Sequence, residues 1–274
     1  MVLESLFPAS KIENKPKEML LVSFIVTITC VFLSYMVFPA YAGIIAPLLI
    51  TAALSPLVYR IFSIEEEIEA EEAESKIKLN FYERHSETIW LFSLFFIGNL
   101  LAVFLLALIL PDAMVQDLFS QQFDEIHAVR GVAGDIIANS AATGHTISGA
   151  FLGTITSNNL KVMFFSFILS FFIGTGALFI LSWNASILAI YLASFVRQGL
   201  YSDFFNQAMG IMPHAPVEIL AYFLAGIAGG MLSVGLIREK VRSKEFLLIF
   251  RDSLMLMILA VAAVIIGAYL EVGF

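Results

Sequence analysis

The chain has 274 residues, 59% hydrophobic and only 14% charged, with a mean hydropathy of +0.90. Soluble globular domains carry roughly a quarter charged residues, so this composition excludes one and points to a polytopic membrane protein. The formal net charge of −8 argues against nucleic acid as a partner, and a single cysteine, Cys30, excludes an intrachain disulfide.

Crossing the hydrocarbon of a bilayer takes roughly 20 apolar residues. Seven runs meet that need: 19–38, 41–60, 89–110, 160–182, 184–200, 214–237 and 252–272. The expected fold is therefore all-α, a membrane bundle of about seven transmembrane helices. The first run follows Lys11, Lys15 and Lys17 and precedes Ala40-Tyr41-Ala42, like a secretory leader, but it is too long for a leader's apolar core and reads as a span. Pro47 and Pro56 lie in the second run, where each frees a backbone carbonyl that neighbours must satisfy, so kinks are expected. The fifth run is the shortest, joined to the fourth through an expected turn at Ser182-Trp183-Asn184.

Three units follow. Residues 1–63 hold a tail and two spans, 64–88 an acidic connector, and 89–274 the remaining membrane domain. The connector is rich in Glu and Ala, which favour helix, and it reads as a solvated helical extension of the third span, with docking of a basic partner as the functional alternative. In the segment 111–158, Val115, Leu118, Phe119, Phe123, Ile126 and Val129 recur near helical spacing among polar residues. That pattern predicts an amphipathic helix lying on the bundle or on the membrane. The stretch 131–159, rich in small residues, suits a short re-entrant or interfacial element, serving as a structural cap or as a partner-binding or gating element.

Lysine and arginine placement sets the orientation. The tail, the region 60–88 and the loop 238–251 hold most of the basic residues, and all three share a side if there are seven spans. The opposite side keeps Arg130, Lys161 and Arg197. The N-terminus is thus expected in the cytoplasm and the C-terminus outside.

Small residues recur at every fourth position in three successive spans: Ser166, Ser170 and Gly174; Ala185, Ala189 and Ala193; Ala221, Ala225, Gly229 and Ser233. Such stripes allow close helix approach in lipid. They predict a tight bundle over 160–237, joined by the last span through Ala263 and Gly267, with the first three spans peripheral. Gly174, Ala225 and Gly229 are the expected packing positions.

Polar residues near the spans are the site candidates. His214 and Glu218 stand four residues apart where the sixth span opens. As a metal pair they lack further ligands, since no His-Glu-x-x-His or Cys-x-x-Cys pattern supplies them. A proton or ion site is a second reading. The preferred reading is architectural: Pro216 presets the first turn, Glu218 answers the helix dipole, and His214 caps or bonds a nearby loop. No bound metal or cofactor is expected. Asn158 and Asn159 before the fourth span, and Asn184 in the following turn, read as helix caps. His85, His127 and His145 carry no site signal. Catalytic residues are not expected either, because nucleophile elbow, phosphate loop and Rossmann glycine patterns are all missing from the sequence.

Taken together, Thr156-Ser157-Asn158-Asn159-Leu160-Lys161-Val162, the Gly174/Gly176 span, Asn184, Pro213-His214-Ala215-Pro216-Val217-Glu218 and Ala225-Gly226 resemble the stage II sporulation protein M family of integral membrane proteins. The resemblance covers about residues 100–272. It implies a membrane scaffold, the role of the family member that serves cell-wall hydrolases during engulfment in spore formers. The expected function is therefore a non-enzymatic scaffold that positions partner proteins in an envelope process. The partners are the lipid bilayer and other proteins, with a homo-oligomer left open. The alternative is a transporter or channel with an external vestibule at His214 and Glu218.

Overall fold

The computed structural model describes residues 17–74, 81–143, 147–241 and 243–273. Lys11, Lys15, Lys76, Ile77, Lys78, Arg242 and His145 lie outside the described residues. The order is α1 (Lys17–Val37), a 3-10 turn (Pro39–Tyr41), α2 (Ala42–Glu74), α3 (Phe81–Ile109), α4 (Asp112–Leu118), α5 (Ser120–Thr143), α6 (Ile147–Ile173), α7 (Ala177–Arg197), α8 (Tyr201–Ile211), α9 (Ala215–Arg238) and α10 (Lys244–Gly273). Among the described residues there is no strand, and seven helices are long and apolar enough to cross a membrane. The all-α, seven-span expectation therefore holds.

The helix ends sort to two faces. One face gathers the start of α1, the ends of α6 and α9, and the starts of α7 and α10; there Arg238 Nη1 donates to the Ser63 carbonyl at 3.0 Å. The opposite face gathers α4, α5 and α8 and the start of α9. The acidic run is a correction: 65–74 continues α2, so it extends the second span rather than the third.

A second correction concerns the hairpin between the fourth and fifth spans. The turn lies at Gly174-Thr175-Gly176, not at Ser182-Trp183-Asn184. Gly174 ends α6 with φ +80, a left-handed conformation that glycine adopts without a Cβ penalty. The Ala177 N–H donates to Ser170 Oγ at 2.8 Å, and the Ser55 and Thr175 hydroxyls meet at 2.5 Å. Asn184 sits inside α7, where its Nδ2 donates to the Ile180 carbonyl at 2.7 Å. In apolar surroundings that bond to the preceding turn satisfies the side chain, so no turn is needed.

The cap 111–158 is also more regular than its composition suggests. α5 runs on to Thr143 and the fourth candidate span begins at Gly149, so no re-entrant element appears among the described residues of 131–159. The amphipathic expectation holds in part, as two helices broken at Phe119. Val115, Leu118, Phe119 and Ile126 are buried in a cluster with Val31, Val103, Leu106 and Ala189. Polar bonds fasten this cap to the bundle. Pro47 lacks the N–H that would bond the Gly43 carbonyl; Gln122 Nε2 of α5 donates to that carbonyl instead, at 2.9 Å, and approaches Ser186 Oγ at 3.0 Å. Gln121 Nε2 donates to the Ala40 carbonyl at 2.9 Å. Arg197 at the end of α7 donates to Asp112, to the Leu110 carbonyl at 2.9 Å and to the Ala107 carbonyl, closing the end of α3. α2 continues through both prolines.

The core is centred on α9, which packs most extensively against α10 and α6. The small residues explain why. A Cβ on Gly229 would meet the α6 backbone, with Phe171 N at 3.0 Å, and one on Gly230 would meet the Gly174 carbonyl at 2.8 Å. Ala225 is fully buried on the same helix. Gly174 serves the turn itself rather than a helix face. The expectation that the first three spans are peripheral fails: 56% of the third is buried, against 22% of the fourth. Large apolar residues do that burying, with Phe62, Phe92, Phe223 and Phe96 in contact in turn as a chain of rings. Stripe counting misses this kind of packing.

Candidate functional site

The start of α9 is built as the sequence suggests in its backbone and differently in its side chains. The His214 carbonyl accepts the N–H groups of Val217 at 2.9 Å and Glu218 at 3.1 Å, and Pro216 occupies the first turn, where its missing N–H is harmless. The His214 side chain makes no capping bond. Its Nδ1 is buried without a hydrogen-bond partner, which corrects the capping expectation. Burial holds the His214 pKa below the usual imidazole value and favours the neutral ring.

Glu218 lies one turn into α9, near the positive end of the helix dipole. Its Oε1 is likewise buried with no hydrogen-bond partner. Gly267 of α10 faces it so closely that a Cβ there would stand 2.5 Å from Glu218 Cγ. Only glycine lets α10 pass the carboxylate at this distance.

The asparagines are not caps. Asn158 and Asn159 fall inside α6, because that helix starts well before residue 160. Asn158 is exposed, whereas Asn159 is 6% exposed and accepts the Tyr222 hydroxyl proton at 3.0 Å. Asn159 Nδ2 stands beside the Glu218 carboxylate but makes no hydrogen bond of normal geometry. Asn184 lies apart from these residues, within α7.

A cavity of about 910 Å³ opens here between the ends of α5, α6, α9 and α10. Asn158, Asn159, Lys161, His214, Glu218 and Glu271 line it. Glu271 is the residue that sequence reading missed. The ligand-capable atoms of His214, Glu218 and Glu271 all lie within 4.8 Å of one another. A signal for it existed: seven alternating spans put the end of the last span on the same face as the start of the sixth, so an acid closing that span meets His214.

Below Glu218 the packing closes: Tyr222 bonds Asn159 of α6, Ala225 is fully buried, and Phe223 packs on Phe92 and Phe96 of α3. The geometry can hold a polar group or cation at the helix mouth.

A second buried polar contact lies on the other face. His85, set aside on sequence, is fully buried with Nε2 3.6 Å from Asp252, itself fully buried and bonded by Arg251 Nε at 3.2 Å.

A family model described as Stage II sporulation protein M matches residues 21–274. The match takes in the first two spans and the acidic connector, which the motif resemblance starting near residue 100 left out. The chain matches no curated protein and no solved structure. With nearly its whole length inside that match, this multi-pass helical protein belongs to the stage II sporulation protein M family.

Proposed function

We propose that the protein is a non-enzymatic membrane scaffold that docks a partner protein at the cleft between α5 and α6 in an envelope process. The N-terminus and the basic loops lie in the cytoplasm, and the cavity and C-terminus lie outside, following the lysine and arginine bias. One observation carries the reading: the cavity at the mouth of α9 ends on a packed floor, as a docking recess does, above the most buried span. The cap that borders it is fastened to the bundle by Gln121, Gln122 and Arg197 and presents Val129 and Val132 exposed. A rigid rim with exposed apolar residues suits protein docking.

The second reading, a transporter or channel, is favoured by the width of the recess and by His214 and Glu218 on its wall. The closed packing at Tyr222 and Ala225 weighs against it.

Site-specific photocrosslinking in native membranes tests the scaffold. A photoreactive residue at Val132 is expected to give a discrete protein adduct, and one at Ile258, an exposed position on α10, is expected to give none. No adduct from the cleft, or identical adducts from both positions, contradicts docking there.

A further inference from the structure

We propose that His214, Glu218 and Glu271 form a binding site for a divalent transition-metal ion of the zinc class, with water completing its shell. This inference is independent of the docking reading. The sequence offered two ligands on one helix and no third; Glu271, arriving on α10, completes a set of one imidazole and two carboxylates. Three protein ligands and an open position are a common zinc arrangement, and the imidazole selects against magnesium and calcium, which take oxygen ligands.

The geometry fits after a small adjustment. Ligand atoms around tetrahedral zinc stand roughly 3.3 Å apart, given bonds of about 2.0 Å. The three groups here lie within 4.8 Å of one another. Side-chain rotation alone can close that difference, since Glu218 and Glu271 have three torsions each.

Two further observations point to a ligand. Buried polar atoms in proteins are nearly always hydrogen-bonded. Here His214 Nδ1 and Glu218 Oε1 lack a hydrogen bond, the Asn159 amide beside Glu218 makes none of normal geometry, and all three residues line one cavity. Asn159 is only 6% exposed and held from behind by Tyr222. Its amide is placed to donate to a metal-bound carboxylate or water, the kind of outer contact that orients metal ligands. Gly267 also leaves Glu218 the room that a Cβ would remove.

Zinc titration of the purified full-length protein by calorimetry tests the site. We expect one zinc per chain at micromolar affinity or tighter, unaffected by millimolar magnesium. His214→Ala and Glu271→Gln should each weaken binding at least tenfold, and His127→Ala, at an exposed position on α5, should not. Zinc-edge X-ray absorption of the wild-type protein, which needs no variant to fold, should show nitrogen and oxygen ligands with imidazole scattering. Binding that is absent, or equal in wild type and both site variants, would overturn the proposal, the latter marking an adventitious ion only. An absorption spectrum without imidazole would overturn it too.

Discussion

Gly229→Leu is expected to be among the most destabilising single changes in the bundle. Gly229 lies where α9 crosses α6, and even a methyl group there would meet Phe171 N and Ser170 Cβ at 3.0 Å, as well as the Phe167 carbonyl. Those are largely backbone atoms of a membrane helix and cannot rotate away. A leucine must therefore separate the two helices, breaking contacts along the most buried span. Overpacking of cores costs about 1–3 kcal/mol and sometimes more, and loss of a close small-residue contact in lipid adds to it. Leu259→Ala is the comparison: Leu259 is 44% exposed on α10, so its truncation removes little packing. Thermal unfolding in detergent should show a much lower Tm for Gly229→Leu than for Leu259→Ala. Equal melting temperatures for Gly229→Leu and wild type would contradict the close crossing.

The second large effect concerns Asp252. It is fully buried beside a fully buried His85, with Arg251 Nε donating to its carboxylate. Truncating Asp252 removes its contacts with His85 and Arg251, and hydrogen bonds to charged groups contribute about 1.5–3 kcal/mol. Asp252→Ala should therefore lower unfolding free energy by about that amount. His85→Ala should then add much less in the Asp252→Ala background than in wild type, since neighbours sharing one interaction are not additive. Measured additivity in this double-mutant cycle would show that the two side chains do not interact.

The spans were legible because the bilayer imposes both length and polarity on a crossing helix, and runs such as 89–110 and 252–272 meet both demands. The α6–α7 turn was misplaced because Ser, Trp and Asn at 182–184 look like a turn in water. Within an apolar bundle Asn184 bonds its own helix, and Gly174 supplies the left-handed residue that ends α6. Packing of the first three spans was missed because it depends on how aromatic rings interlock, as with Phe92 and Phe223, and spacing along one helix does not report that. The site was half legible. His214 and Glu218 share one helix turn, so their meeting is written in local sequence. Glu271 and Asn159 join them only through the packing of α10 and α6 on α9, which depends on Gly267 and on the small residues of all three helices.

The scaffold reading requires the recess at the mouth of α9 to open outside, on the side opposite the basic loops. Cysteine accessibility tests this directly, since the only native cysteine, Cys30, is buried in the first span. Single cysteines at positions 70 and 245 should react with an impermeant maleimide only after the cytoplasmic face is opened. One at position 135, on α5 beside the recess, should react in intact cells. External labelling at 245, or protection of 135 in intact cells, would contradict the seven-span orientation and with it the placement of the site.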